Sequence, residues 1–74
     1  MSSASRHDEK LVRMANQIAE NLGSQAHDDA VAAVAEHLRA FWTPKMRRQL
    51  VELAAAGGEG LEPLTREAVR RLAV

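Results

Sequence analysis

Seventy-four residues, with ten basic and ten acidic side chains, a formal net charge of zero and no cysteine, make one small domain at most. The missing Cys excludes disulfides, thiolate nucleophiles, iron–sulfur ligation and Cys-type zinc sites. The neutral balance removes the overall electrostatic footprint of a nucleic-acid binder, and a chain this short buries only about 60% of the surface its unfolded form exposes.

Residues 1–6 are small and polar, and the sequence predicts a disordered tail there, followed by a single helical domain over 7–74. Met1–Asp8 has no apolar core, so no secretory signal is expected, and no apolar run approaches the roughly 20 residues of a membrane span. A first helix is predicted from His7 or Asp8. Leu11, Met14, Ala15, Ile18, Ala19 and Leu22 recur at three- and four-residue steps, and Arg13, Asn16, Gln17 and Glu20 fall opposite. Asp8 and Glu9 suit the positive end of its dipole. Gly23 is the expected stop, as a left-handed cap.

After Ser24–His27, Asp28 and Asp29 open a second helix. Its main apolar stripe is Val31, Val34, Ala35, Leu38 and Phe41 or Trp42. A second stripe of small residues, Ala26, Ala30, Ala33 and Ala40, interrupted by His37, lies opposite. Apolar character on two sides predicts packing on two sides. Thr43-Pro44 ends this helix and starts the third, because Thr is a good N-cap and Pro fits the first helical position. Met46, Leu50, Leu53 and Ala54 give its inward face, and Gly57-Gly58 stops it. Pro63 starts a fourth helix with Leu64, Ala68, Val69 and Leu72 inward and Arg66 and Arg70 on the other side. No strand pattern and no internal repeat appear. The predicted fold class is all-α, a compact bundle of about four short helices.

Motifs that carry chemistry are scarce. His7, His27 and His37 have no His three or four residues away, and Glu36 and His37 are adjacent, so they point to different helical sectors. Asp28-Asp29 lacks the further oxygen ligands a hard cation needs and reads as helix-start chemistry. Gly57-Gly58-Glu59-Gly60 has neither the spacing nor the preceding strand of a phosphate loop. Lys45, Arg47 and Arg48, with Arg66, Arg70 and Arg71, make the best case for a nucleic-acid face, diluted by Glu62 and Glu67. Phe41-Trp42 is the strongest interaction candidate. Consecutive helical residues point about 100° apart, so one can enter the core while the other faces a partner. Trp42 can also stack on Arg47. Autonomous catalysis is not expected.

Three blocks resemble the delta subunit of NAD-dependent, molybdenum-containing formate dehydrogenases. They run from Lys10 to Ala19, from Ala33 to Arg47, and from Ala56 to Leu64 with Arg66–Val69. That family often carries Asp before the first Pro and Arg after it, where this chain has Thr43 and Lys45. The resemblance implies a non-catalytic accessory subunit of a cytoplasmic enzyme that oxidises formate to carbon dioxide. The bis-molybdopterin-guanine-dinucleotide molybdenum, iron–sulfur clusters, FMN and NAD of that enzyme belong to larger subunits, with no cofactor in this chain. The implied partner is the molybdenum-containing catalytic subunit. The expected docking surface is Trp42, Pro44, Lys45, Met46 and Arg47 with the face of Ala30, Ala33, His37 and Ala40. Trp42 is expected to be the anchor and Arg47 the ion-pair donor. A self-associating helical adaptor and a small helix-turn-helix nucleic-acid-binding regulator are the alternatives.

Overall fold

The computed structural model describes residues 3–73, with side chains from His7 onward. Four helices follow in chain order: α1 (Ser3–Leu22), α2 (His27–Phe41), α3 (Pro44–Ala55) and α4 (Pro63–Ala73), with no strand among the described residues. The all-α bundle expected from the apolar periodicity is present. Its first helix starts at Ser3, ahead of the expected His7 or Asp8. The predicted tail therefore falls partly on helical backbone and partly, at residues 1 and 2, outside the described residues. With this start Asp8 and Glu9 move out of the first turn, which carries no acidic residue.

The core is one cluster shared by all four helices. Leu11, Ala15 and Ala19 come from α1, Val31, Val34, Ala35 and Leu38 from α2, Leu50 from α3, and Ala68 and Val69 from α4. Small residues on α1 and α4 let the backbones approach closely. The helix α2 is the central element, with five buried positions, and it packs most extensively on α4. Of its second stripe only Ala30 is buried; Ala33 and His37 are half-buried and Ala26 and Ala40 exposed.

Helix boundaries follow cap chemistry. Thr43 accepts a hydrogen bond from the Met46 amide through Oγ1 at 3.1 Å, and Pro44 occupies the first helical position. The C-terminus of α3 closes in a Schellman arrangement. The Gly58 amide donates to the Leu53 carbonyl at 2.9 Å and the Gly57 amide to the Ala54 carbonyl at 3.2 Å. Gly58 has φ +63°, a conformation that favours glycine, and a Cβ there would stand 2.7 Å from Arg66 Nη1 and displace that guanidinium.

Gly23 departs from expectation. It is not among the residues of positive φ. A Cβ at this position would lie 2.9 Å from the Ala19 carbonyl oxygen and 3.5 Å from Leu64 Cδ2. The tight contact is with the backbone of α1 itself, Leu64 of α4 standing at ordinary van der Waals distance, so Gly23 follows α1 without being a left-handed cap.

Candidate functional site

Two joints position the polar and aromatic side chains. At the α3–α4 joint, Asn16 of α1 holds the connection. Its Oδ1 accepts from the Glu62 amide at 3.0 Å and from Thr65 Oγ1 at 2.9 Å, while Nδ2 donates to the Gly60 carbonyl at 2.9 Å. Thr65 is fully buried, so Asn16 satisfies a hydroxyl that would otherwise be costly. From the other side Arg66 donates through Nη1 to the Gly57 carbonyl at 3.0 Å, through Nη2 to that of Gly58 at 2.8 Å, and through Nε to that of Leu61 at 3.3 Å. The sequence pattern placed Asn16 on a solvated face and Arg66 in a candidate basic patch. Neither role has a local signal, because each contact is made across the fold or back onto a turn.

Arginine caps recur. Arg47 donates through Nη1 to the carbonyls of Arg39 at 2.8 Å and Trp42 at 3.1 Å, at the C-terminal end of α2. Arg39 donates through Nη2 to the Arg71 carbonyl at 3.1 Å, near the end of α4. Cationic side chains thus meet carbonyls at the C-terminal ends of α2 and α4, where the helix dipole is negative, and in the turn that follows α3. Arg47 spends one guanidinium nitrogen, Nη1, on its own chain, an intramolecular role that the sequence did not suggest. Its contact with Trp42 is to the carbonyl.

At the α2–α3 joint the aromatic pair divides, with the roles exchanged. Trp42 is 6% exposed and belongs to the core, whereas Phe41 is 74% exposed. The side chain expected to anchor a partner is inside: α2 ends at Phe41, and Trp42 follows it in an extended backbone conformation with its ring in the core cluster. Phe41 is the exposed large hydrophobic among the described residues. The His37 ring lies against it, with centroids 4.6 Å apart and planes tilted by 37°. Of the other expected docking residues, Ala40, Pro44 and Lys45 are exposed, Ala33, His37, Met46 and Arg47 are half-buried, and Ala30 is buried. Ala30 is therefore unavailable to a partner.

Two charged features were not legible in sequence. Glu62 pairs with Glu20 across the α1–α4 contact. A side-chain hydrogen bond with Glu20 holds the Glu62 carboxyl above the usual carboxylate range, and partial desolvation and repulsion from the Glu20 charge push the same way. An open groove of about 600 Å³ lies between α1 and the C-terminal end of α3, with Asp8, Glu9, Arg13 and Glu59 among its lining.

The chain has no thiolate, and among the described residues no three His, Asp or Glu side chains are grouped to hold a metal ion. No helix among the described residues is long and apolar enough to cross a membrane.

The model of one protein family, NADH-dependent formate dehydrogenase delta subunit FdsD, matches residues 10–69. The chain belongs to this family. The matched span starts within α1 and runs into α4, so it includes Asn16, the Thr43-Pro44 joint, the glycine turn and Arg66. No curated protein and no solved structure matches the chain.

Proposed function

We propose that this chain is a non-catalytic accessory subunit that docks on a larger subunit of an NAD-dependent formate dehydrogenase and favours the assembled enzyme. The observation that carries the reading is the family match over residues 10–69. The chain's own chemistry is consistent with it. Molybdenum, iron–sulfur clusters, FMN and NAD are assigned to the larger subunits, in keeping with the lack of any thiolate ligand in this chain. The molybdenum-containing catalytic subunit is the proposed partner. Binding the assembled state shifts the equilibrium away from loose or incompletely loaded forms by mass action. A cytoplasmic location goes with this reading.

The proposed surface is the α2–α3 joint, with Phe41 as its apolar anchor in place of Trp42. His37 and Ala40 flank it on α2, and Lys45 stands exposed in the first turn of α3. An aromatic ring that enters a partner pocket and excludes water is the usual build of an interface anchor. The nucleic-acid reading is weaker, because Arg47 and Arg66 donate to internal carbonyls and Arg70 pairs with Glu67 at 3.9 Å.

The test is co-purification of Phe41→Ala and Lys45→Glu variants with the larger subunits, scored by intact complex and by molybdenum per catalytic subunit. Loss of the complex with a normally folded variant chain is expected. Undiminished recovery with both substitutions combined rejects this surface, and a parent chain that never co-purifies rejects the subunit role.

A further inference from the structure

The groove between α1 and the end of α3 combines two surfaces. Its floor is aliphatic, formed by Val12 and Leu53, which are half-buried against the core, and by exposed Ala56. Among the described residues its rim carries the carboxylates of Asp8, Glu9 and Glu59 against one guanidinium, that of Arg13. The ion pair found among the described residues joins Arg70 and Glu67, and none is found at this rim. The carboxylates also do not converge, as no group among the described residues is close enough to hold a metal ion.

These facts narrow the occupant. An excess of negative charge disfavours nucleic acid, an anionic lipid surface or a phosphate. Separated carboxylates do not encircle a single metal cation. Carboxylates spread around an aliphatic floor are matched by cations carried on hydrocarbon stems, which is the build of Lys and Arg side chains on a polypeptide. We propose that this groove docks a cationic segment of a protein partner, with its stems on Val12, Leu53 and Ala56 and its charged heads on Asp8, Glu9 and Glu59. Charge complementarity selects the occupant, and the volume falls in the usual range for a binding cleft. The site uses none of the residues around Phe41. Only the identity of the partner as a larger formate dehydrogenase subunit rests on the function proposed above.

Two arms test it. In the first, the isotope-labelled full chain is titrated with a hexapeptide alternating Leu with Arg or Lys, and with a counterpart carrying Glu at the charged positions. The backbone amides of Val12, Leu53, Gly58 and Gly60 are expected to shift with the cationic peptide alone. Binding should weaken as salt rises, and should fall about tenfold in the Glu9→Gln/Glu59→Gln variant. These side chains are exposed, so the variant keeps its fold. Equal binding of the acidic peptide, shifts spread evenly over the surface, or unchanged binding by the variant overturns the proposal. In the second arm, the purified complex is treated with a carbodiimide, which joins carboxylates directly to lysine amines. Cross-links from Glu9 or Glu59 to another subunit are expected, and a complex cross-linked only elsewhere overturns that assignment. A parent chain that forms no complex, yet binds the cationic peptide at the groove, refutes the subunit reading and leaves the groove standing.

Discussion

The two helix joints of this molecule begin with similar ingredients and end differently. Each has a proline at the first position of the following helix and an arginine reaching back to backbone carbonyls, at the end of α2 in one case and in the turn after α3 in the other. At the α3–α4 joint those contacts are completed by Asn16 from α1, and the turn is held from both sides. At the α2–α3 joint Trp42 is drawn into the core and Phe41 is left largely in solvent, with the His37 ring against it. The first joint is closed because its polar groups find partners inside the chain. The second is open because one large apolar side chain does not. Burial, and not residue type, separates structural aromatic from candidate anchor.

The sharpest way to break this comparison is to truncate each aromatic in turn. Trp42→Ala removes a buried core side chain and is expected to destabilise by about 3–5 kcal/mol. In a chain this small that removes the cooperative unfolding transition seen by circular dichroism. Phe41→Ala is the control. A similar loss of stability from both would mean that Phe41 is part of the core after all.

The closed joint is tested next. Asn16→Ala leaves the Thr65 hydroxyl and the Glu62 amide without their acceptor and is expected to cost about 1–3 kcal/mol, read by chemical denaturation. The loss should exceed that of Gln17→Ala, one residue along on the exposed face of α1. Equal effects would show that the Asn16 contacts contribute nothing beyond helix surface.

A smaller effect belongs to Phe41 itself. Its truncation is expected to change stability by no more than about 0.5 kcal/mol, while the recovery of complex falls. Retained stability with lost assembly is the signature that distinguishes an anchor from a core residue.

The smallest effect is electrostatic. Because the folded-state pKa of Glu62 is raised, the protonated form is favoured by folding. That contribution is fully present below the ordinary carboxylate range and is lost as pH rises through the raised value. Above it, the charges of Glu20 and Glu62 repel. Glu20→Gln is therefore expected to stabilise the chain slightly at neutral pH, with the advantage over the parent vanishing in acid. The same change also removes a negative charge from the last turn of α1, where the dipole disfavours it. An advantage that is flat with pH would leave only the dipole contribution.

Much of the architecture was readable before any coordinates. Four helices, the Thr43-Pro44 start and the glycine stop after α3 follow from periodicity and cap chemistry, which involve residues within a turn of one another. The candidate surface was half readable. The Phe41-Trp42 joint stood out, but two side chains about 100° apart on a helix compete for the same core. Which one enters depends on where α3 lies. Ala30 was misplaced for the same reason, since a small-residue stripe suits a partner chain and a neighbouring helix equally.

What the chain determines locally is therefore its helices, their caps and the absence of thiol chemistry, because each depends on dihedral preference or composition alone. Only the tertiary structure decided that Asn16 reaches across to Gly60, Glu62 and Thr65, that Arg39 and Arg47 cap helix ends, and that Arg66 holds the turn after α3. Long polar side chains have several reachable carbonyls, and the packing of distant segments selects among them. The same packing put Trp42 inside and left Phe41 to the solvent.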